Sequence, residues 1–314
     1  MYREEIKVLD CTIRDGGLIN NHHFTDEFVR AVYKSLTEAG IDYVEMGYRS
    51  SRKYAPPEEF GAWKYCDDEK IRQVIDGIES DVKISIMVDA HRVAEQEFVP
   101  VDESPVDMIR VASYAKDIDK AISMVNRCHD LGYETTVNVM AISAEGEFEL
   151  IEALDQLAKC PTETVYVVDS YGNFFSEEIH HMVKLYQDHL PGKRIGIHCH
   201  NNQQLAFANT IEAIRKDCNL IDGSLYGIGR GAGNCPLELL MGFLKNPKFS
   251  LEPVLKVIQD YMIPMRDEIE WGYMIPYAIT GILNRHPRAA IAIRKTEDKD
   301  KYLEFYSQIL DGID

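Results

Sequence analysis

Two histidines near residue 200 have the type and spacing that could hold a metal ion. The segment GIHCHNN at 196–202 closes a short apolar run, and side chains alternate along a strand. His198 and His200 are therefore expected to point one way and Cys199 the other. Two imidazoles about 7 Å apart along one strand can chelate a single cation where the strand twists. The chain has ten histidines, so an HxH pair can also arise by chance and needs support from other residues.

A guanidinium and a carboxylate stand side by side in CTIRDGG, just after the apolar segment IKVLD. Asp15, placed at the end of this first strand, would supply the oxygen ligand that the two imidazoles lack. Two neutral imidazoles and one carboxylate favour a divalent first-row metal with open positions. We therefore expect Asp15, His198 and His200 to bind Mn²⁺ or Mg²⁺. Arg14 and this cation could then bind a 2-oxo acid and stabilise the enolate formed when a C–C bond breaks. A solvated surface ion pair is the alternative interpretation of Arg14 and Asp15.

These residues need a scaffold that brings distant parts of the chain together. Eight short runs rich in β-branched residues recur roughly every 25–40 residues, each followed by an amphipathic stretch. Thr25 and Gly40 bound one such stretch as a helix cap and a left-handed stop. Strands buried on both faces with helices between them indicate a parallel sheet, and eight such units predict a closed (β/α)8 TIM barrel. A doubly wound open sheet is the structural alternative.

The alternation of strand and helix patterns ends before the C-terminus. We expect residues 1–246 to form a catalytic barrel and residues 247–314 to form a small helical appendage with a charged tail. In such barrels the residues at the carboxyl ends of the strands line the active site. Lys7 and Lys83 lie at the opposite strand ends, and no lysine closes an inward-facing strand. This distribution argues against a Schiff-base aldolase and favours a metal as the electron sink.

Composition narrows the class of protein further. The formal net charge of −18 argues against nucleic acid or an anionic membrane surface as the main partner. The seven cysteines are scattered, odd in number and without a CxxC pair, so neither a disulfide framework nor a zinc ribbon is expected. The N-terminal segment lacks a signal-peptide run, and no stretch approaches the ~18 apolar residues of a membrane span. We therefore expect a cytoplasmic enzyme with a small-molecule substrate.

Five motifs, taken together and in this order, resemble the DRE-TIM metallolyases. That superfamily includes 4-hydroxy-2-oxoacid aldolases, 3-hydroxy-3-methylglutaryl-CoA lyase, and the isopropylmalate and homocitrate synthases. The motifs are LDCTIRDGG at 9–17, VEMGY at 44–48, VDSYGN at 168–173, GIHCHNN at 196–202 and GIGRGAGNCPLE at 227–238. The chain is most similar to the 4-hydroxy-2-oxovalerate aldolase branch. The resemblance implies a divalent-metal-dependent aldolase that cleaves or forms a C–C bond in a 4-hydroxy-2-oxo acid through a pyruvate-type enolate.

The resemblance also implies roles for single residues. It makes Arg14 the enolate stabiliser and Asp15, His198 and His200 the metal ligands. Ser170 is similar to a substrate-carboxylate contact of the aldolases.

Further roles concern the end of the barrel and the appendage. Asn234 matches a position that adds a ligand or an outer contact, and we group it with the substrate-binding residues. The appendage is similar to the aldolases' C-terminal helices, which would put Tyr273 or Tyr277 over the pocket, with Tyr277 the preferred catalytic candidate. Related aldolases associate with an aldehyde dehydrogenase through those helices. The match is too loose to predict that partner here, and it leaves a homo-oligomer open.

Three further polar residues lie near predicted strand ends. Asn138, in the fifth strand, is expected to face the pocket and bind substrate. The alternative is that Asn138 and Glu45 belong to a buried hydrogen-bond network that orients Arg14. Arg110, at the end of the fourth strand, could clamp an anionic substrate or form an ion pair with a neighbouring helix. The glycine-rich segment GIGRGAGN could cradle a phosphate, although tight turns explain its glycines nearly as well.

Departures from the family pattern bear on the general base and on the reaction. Leu18 occupies the position at which pyruvate-forming aldolases carry a histidine, and His22 is expected to replace that base unless it is a surface-loop histidine. Gly17 and Leu18 stand where the condensing synthases have a Glu-Gln pair, and GIGRGAGN lacks the cysteine of the acyl-CoA lyase. These departures speak against a Claisen-type synthase and an acyl-CoA lyase. Both are kept as alternative functions, together with a metal hydrolase and a non-catalytic metal-binding barrel. A structural metal site has no use for an unpaired guanidinium, so Arg14 argues against the last of these.

Overall fold

The polypeptide chain forms a closed barrel of eight parallel strands. The structure is a computed structural model that describes residues 2–90 and 98–312. Neighbours in sequence pair in order from the first strand to the eighth, and the eighth closes on the first. The strands are β1 (Lys7–Asp10), β2 (Tyr43–Tyr48), β3 (Lys83–Asp89), β4 (Met108–Ser113), β5 (Glu134–Val139), β6 (Thr164–Asp169), β7 (Arg194–Cys199) and β8 (Leu220–Gly223). The predicted (β/α)8 fold is confirmed, since each of the eight apolar runs forms one strand.

An α-helix follows seven of the eight strands in the described residues, and further helices continue beyond the barrel. Within the described residues they are α1 (Thr12–Gly16), α2 (Asp26–Ala39), α3 (Asp68–Ile75), α4 (Ile118–Asp130), α5 (Glu147–Leu157), α6 (Ser176–His189), α7 (Ala206–Arg215), α8 (Leu237–Leu244), α9 (Leu251–Val257), α10 (Ile263–Met265), α11 (Ile275–Ile282), α12 (Arg288–Ile293) and α13 (Tyr302–Leu310). A π-helical turn, Ile258–Met262, joins α9 to α10. Among these residues no helix has the length and apolar character needed to cross a membrane.

Helix α2 illustrates how the sequence sets the outer layer. Thr25 Oγ1 accepts a hydrogen bond from Phe28 N at 3.2 Å, and Gly40 ends the helix with φ of +75°. Both roles agree with the sequence-based prediction. The apolar face between these ends packs against the barrel through buried residues that include Val29, Val32 and Leu36.

The barrel interior differs from its surroundings in polarity. The main apolar core lies between the strands and the helices, as expected when strands are buried on both faces. Inside the barrel, by contrast, Glu45, Arg110 and Asp222 are fully or almost fully buried. The Arg110 guanidinium lies 4.4 Å from the centre of the Tyr166 ring. Charged groups at such depth are costly unless they are paired, so the interior must be organised around ion pairs.

The segment after the barrel packs on it in two ways. Helix α9 packs on α2, and Ser250 N donates to Ala39 O at 3.1 Å. Farther along, α11, α12 and α13 enclose a small apolar cluster of their own, which includes Tyr277, Phe305 and Ile309 and also Ala232 of the barrel. The domain division at residue 246 stays a prediction. All seven cysteines are buried free thiols.

Candidate active site

The predicted carboxylate ligand lies on a short helix and not on the first strand. Strand β1 ends at Asp10, and the following turn begins α1, which carries Arg14 and Asp15. The Asp10 carboxylate accepts hydrogen bonds from Thr12 N at 3.0 Å and Thr12 Oγ1 at 2.7 Å. These bonds turn the chain into the helix. The expectation that Asp15 ends the first strand was therefore wrong, although the residue still lies at the carboxyl end of the barrel.

Asp15, His198 and His200 converge as predicted. Each offers one ligand atom, and these atoms all lie within 4.8 Å of one another. The His198 Nε2 atom is 3.7 Å from Asp15 Oδ2. His198 belongs to β7, and His200 follows the strand, where it forms an isolated bridge with Asn234. All three side chains are buried, so their polar atoms need a partner within the site.

Hydrogen bonds fix the orientation of both imidazoles. The His198 Nδ1 atom lies 2.9 Å from Asp222 Oδ2, and His200 Nδ1 lies 3.3 Å from Gly233 O. A ring nitrogen facing an acceptor carries the proton, which leaves Nε2 of each ring available as a ligand atom. A carboxylate or carbonyl behind a ligating histidine holds its tautomer and ring orientation. The pair is therefore preorganised to bind a cation between Nε2 atoms and the Asp15 carboxylate.

A ring of alternating charges connects these ligands through the barrel interior. Arg14 pairs with Asp15 through Nη1 and with Glu45 Oε2 through Nε at 2.7 Å. On the far side, Arg110 donates to the same Glu45 oxygen at 2.9 Å and to Asp222 Oδ2 at 2.6 Å. Glu45 thus belongs to a network that orients Arg14, one of the two interpretations of the sequence. Arg110 pairs with strand carboxylates, so it neither clamps a substrate nor contacts a neighbouring helix, contrary to both alternatives considered for it.

The charge ring keeps the site ionised. Burial alone would raise the pKa of the Asp15 carboxyl, but Arg14, the two imidazoles and Arg230 outweigh burial and hold that pKa well below its usual range. Burial lowers the pKa of His200 well below its usual value, and Arg230 adds to this effect. Asp15 is therefore an anion and His200 a neutral base at neutral pH. These are the protonation states that metal ligation requires.

An unsatisfied amide oxygen supports a cation at this position. Asn234 Oδ1 is buried without a hydrogen-bond partner among the described residues, while Asn234 Nδ2 donates to Ile228 O at 3.0 Å. A Cβ atom on Gly229 would lie 2.3 Å from Asn234 Nδ2 and 2.7 Å from Asp15 Oδ1, so only glycine permits this close approach. Carboxylate, imidazole and amide oxygen together suit a divalent cation with mixed N and O ligands. The residues present therefore fit the metal that the sequence implies.

A second group of metal-ligating side chains, Cys11, His198 and Asp222, shares one histidine with the first. Burial raises the pKa of the Cys11 thiol, whose Sγ donates to Gly223 O at 3.3 Å. Asp222 is already paired with Arg110. A thiol that keeps its proton is a poor metal ligand, so this group is less suited to a cation than Asp15, His198 and His200.

A small cavity of about 70 Å³ opens beside the proposed ligands. It is lined by residues that end or follow strands, and these are Arg14, Asp15, Leu18, Tyr48, Met87, Ala112, Asn138, Met140, Val168, Ser170, His198, His200 and Arg230. The structure thus brings the predicted residues Asn138 and Ser170 to the same place as the metal ligands. The Ser170 Oγ atom accepts a hydrogen bond from Ala141 N at 2.8 Å. Its hydroxyl proton has no acceptor among the described residues and can therefore donate to a ligand.

Tyr48 and Arg230 line the cavity but were not among the predicted site residues. Both belong to motifs that the sequence displays, since Tyr48 ends VEMGY and Arg230 is the one basic residue of GIGRGAGN. Arg230 N donates to Asp15 Oδ1 at 2.9 Å, and Arg230 Nη2 donates to Ser170 O at 2.6 Å. The glycine-rich segment therefore serves the ligand Asp15 directly. A charged residue within a turn motif is the signal that could have identified Arg230.

His22 is a buried residue and not the surface histidine considered as its alternative. Its side chain is 1% exposed, and neither ring nitrogen has a hydrogen-bond partner in the described structure. The ring meets Tyr48 edge to face, with centres 5.4 Å apart. Burial, and then Lys64 and Arg14, hold the pKa of His22 well below its usual value. His22 is thus a neutral base directly behind a cavity-lining tyrosine, although it does not line the cavity itself.

The appendage approaches the site differently from the prediction. Tyr277 lies in the small apolar cluster of the appendage and is not among the residues that line the cavity. Its ring instead packs beside Gly231 of the β8 loop, and Tyr273 is 59% exposed. His286, between α11 and α12, contacts the site instead, since its Nε2 lies 3.4 Å from Arg230 Nη1. The structure therefore does not bring Tyr273 or Tyr277 to the metal ligands.

A larger groove, of about 840 Å³, lies at the opposite end of the barrel. Its lysines are engaged in ion pairs, since Lys7 and Lys248 pair with Asp42 and Lys83 pairs with Glu134. Active sites of (β/α)8 barrels form at the carboxyl ends of the strands, where the smaller cavity lies. Chemistry and position therefore identify the smaller cavity as the candidate active site.

The chain is similar to known proteins over most of its length. A model of the HMGL-like family matches residues 5–260. An oxaloacetate decarboxylase from Mycobacterium tuberculosis is 32% identical over 248 residues, which are 78% of this chain and 71% of that protein. A 4-hydroxy-2-oxovalerate aldolase from Bacillus cereus is 26% identical over 277 residues, which are 86% of this chain and 80% of that protein.

A solved structure shows the same architecture along almost the whole chain. The N-terminal domain of a Bacteroides vulgatus protein, provisionally assigned as an aldolase, has a TM-score of 0.77 and 28% sequence identity. The match covers 94% of this chain and 98% of that domain.

Proposed function

The chain belongs to the HMGL-like family of metal-dependent carbon–carbon lyases, and we propose that it cleaves or forms the C3–C4 bond of a 4-hydroxy-2-oxo acid through a pyruvate-type enolate. The observation that carries this proposal is the convergence of Asp15, His198 and His200, with Arg14 beside them, at one small cavity. The expectation of an unpaired guanidinium was wrong, because Arg14 pairs with Asp15 and Glu45. The argument for an enzyme over a structural metal site is therefore that Arg14 and the three ligands line one cavity.

The proposed cation site uses Asp15, His198 and His200, with Asn234 Oδ1 as a further oxygen donor. Mn²⁺ or Mg²⁺ suits these ligands. When bound, the cation supplies a Lewis acid that polarises the 2-oxo group of the substrate. Asp222 holds the imidazole of His198 in the orientation that ligation needs.

Other residues of the cavity bind the substrate and stabilise the negative charge that develops on it. Ser170 donates its free hydroxyl proton to the substrate carboxylate, and Asn138 binds the substrate from the neighbouring strand end. When the C3–C4 bond breaks, its electron pair moves into the enolate and the aldehyde leaves. Arg14, already oriented by Glu45, stabilises the negative charge that develops on the enolate oxygen. A proton then adds to C3 and completes the 2-oxo acid product.

Aldol cleavage also requires a group that accepts the proton of the C4 hydroxyl. Tyr48 lines the cavity, and the neutral imidazole of His22 lies behind its ring. Burial raises the pKa of the Tyr48 hydroxyl, so Tyr48 alone is a weak base at neutral pH. We therefore propose that Tyr48 contacts the substrate hydroxyl and that His22 is the base behind it. This role requires a His22 ring nitrogen, which has no partner among the described residues, to accept a hydrogen bond from the Tyr48 hydroxyl.

A second candidate activity is decarboxylation of a 2-oxo acid with a carboxylate at C4, as in oxaloacetate. This reaction breaks the same C3–C4 bond and leaves the same enolate, but it needs no base for a hydroxyl proton. Leu18 favours it, because this apolar residue lines the cavity where the related aldolases carry a histidine. The relative at 32% identity is an oxaloacetate decarboxylase.

Pyruvate release by metal-stripped protein, with and without added Mn²⁺, tests the proposal. The substrates are 4-hydroxy-2-oxo acids with different C4 substituents, and oxaloacetate, with protein-free reactions as blanks for decarboxylation promoted by Mn²⁺ alone. We expect Mn²⁺-dependent release from the hydroxy acids. Tyr48→Phe should lower that rate by about 10²-fold, the low end for loss of a proton-transfer group. It should change oxaloacetate decarboxylation far less, since no hydroxyl proton moves.

Tyr54→Phe is the matched control, because the Tyr54 side chain is 48% exposed and lies outside the cavity. Release from oxaloacetate alone, with no effect of Tyr48→Phe, would favour the decarboxylase instead. Release by stripped protein without metal would contradict both candidates.

A further inference from the structure

Within the part of the chain that the structure describes, one arginine of the cavity forms no ion pair with a carboxylate. Arg14 and Arg110 each form ion pairs with two carboxylates. Arg230, in contrast, pairs with no carboxylate in residues 2–90 and 98–312. Its guanidinium donates to Ser170 O at 2.6 Å, contacts His286 Nε2 at 3.4 Å and leaves Nε buried without a partner. A half-buried guanidinium with spare donors beside a cavity is a site for an anion.

The net charge around the cavity also favours an anion once a divalent cation is bound. Asp15, Glu45 and Asp222 carry three negative charges, and Arg14 and Arg110 carry two positive charges, which leaves a net charge of −1. A divalent cation converts this net charge into one positive charge, and Arg230 adds a second. A pyruvate-type enolate carries two negative charges, one on its carboxylate and one on its enolate oxygen. Arg14 already serves the enolate oxygen, so the unpaired Arg230 matches the carboxylate.

Polarity is divided around the cavity in the same sense. Ser170 and Arg230 follow β6 and β8, whereas Met87 and Ala112 lie near the carboxyl ends of β3 and β4. In the closed barrel β8 is opposite β4, so Arg230 faces Ala112 across the cavity, with Met87 on the neighbouring strand. A substrate held at its carboxylate by Arg230 would direct its C4 end toward these two apolar side chains.

We propose that Arg230, beside the Ser170 hydroxyl, binds the C1 carboxylate of the substrate, so that the C4 end points toward Met87 and Ala112. This inference rests on the proposed C3–C4 lyase function and adds Arg230 to the residues that bind the 2-oxo acid.

The appendage helps to position Arg230 for binding the substrate carboxylate. His286 Nε2 faces Arg230 Nη1, and the His286 ring packs edge to face on Tyr171 with centres 5.6 Å apart. Burial, and then Arg230 and Arg288, lower the pKa of His286 to about 4. At neutral pH His286 is therefore uncharged and can accept a hydrogen bond from the guanidinium without repelling it.

Arg230→Met tests the proposal, because methionine keeps much of the length and removes the charge. With Mn²⁺-loaded protein, the KM for an alkyl-substituted 4-hydroxy-2-oxo acid should rise about 10- to 100-fold, as expected for a lost charge-assisted hydrogen bond. The decrease in kcat should be much smaller than the increase in KM. The Kd of pyruvate, measured by calorimetry, should rise by a similar factor, while Mn²⁺ affinity should not change. Arg285→Met, at an exposed arginine of the same appendage, is the matched control, and Arg230→Lys should restore part of the affinity.

Two results would overturn the inference. Arg230 would bind a distal anion if Arg230→Met left pyruvate affinity intact and weakened only the binding of oxaloacetate. It would be merely structural if Arg230→Met and Arg230→Lys lowered Mn²⁺ affinity or thermal stability equally. If no substrate yields pyruvate with the wild-type protein, the proposed function fails. The pyruvate-binding measurement still decides whether Arg230 binds a 2-oxo carboxylate.

Discussion

Replacing His198 with alanine is expected to remove both the bound metal and the lyase activity. His198 Nε2 faces Asp15, and loss of the imidazole leaves only one nitrogen ligand in the group. Loss of an outer group that merely supports a ligand already costs about 10–100-fold in metal affinity. The loss of a ligand should therefore exceed that range. Calorimetric titration of stripped protein with Mn²⁺, with pyruvate release assayed in parallel, measures both effects.

The fold should survive this substitution. Asp222, which loses His198 as a partner, keeps its hydrogen bond from Arg110 at 2.6 Å, so the remaining carboxylate is not left as an unpaired buried charge. His129→Ala is the control, because that histidine is exposed on α4 and does not line the cavity. A folded His198→Ala protein with normal Mn²⁺ affinity and activity would remove His198 from the site.

Replacing Arg14 with alanine is expected to lower kcat by about 10²–10³-fold, the range typical of a lost charge-stabilising donor. Arg14 is 4% exposed and is held by Glu45 and Asp15, so it can act on the developing enolate charge with little reorganisation. Metal content should remain normal, because Asp15, His198 and His200 stay in place. Single-turnover kinetics at saturating substrate, together with metal analysis of the purified variant, test this expectation.

Arg14→Lys separates charge from geometry. Lysine keeps the positive charge but lacks the planar fork that bridges Asp15 and Glu45. We expect activity between that of the wild type and that of Arg14→Ala. Glu45 keeps Arg110 as a partner at 2.9 Å, which should preserve folding in both variants. Unfolding of Arg14→Ala would show that Arg14 is an architectural residue, and full activity would exclude it from catalysis.

The fold was largely predictable from the sequence, and the reason is physical. Strands buried on both faces appear as short apolar runs, and all eight were identified from these runs. The region after CTIRDGG was misjudged, because Asp10 side-chain hydrogen bonds turn the chain into α1 directly after β1. Such local side-chain to backbone bonds leave no periodic signature.

The site was predictable where a single motif identifies a residue, and less so where partners come from different strands. Arg14, Asp15, Ser170, His198 and His200 were found from their motifs, and the structure brings them to one cavity.

The closed ring of charges was not predictable as a whole. Its pairs join residues far apart in sequence, such as Arg110 with Asp222, and strand register decides which of them meet. Tyr277 was selected from a loose resemblance to the aldolases' C-terminal helices. In the structure it packs in the apolar cluster that α11, α12 and α13 enclose.

The position of a bound cation tests the central claim most directly. Crystals of the protein soaked with Mn²⁺ can be measured at a wavelength where manganese scatters anomalously. We expect one strong anomalous peak within bonding distance of an Asp15 oxygen and of Nε2 of His198 and His200. A peak at Cys11, His198 and Asp222, or none at saturating Mn²⁺, would contradict the account.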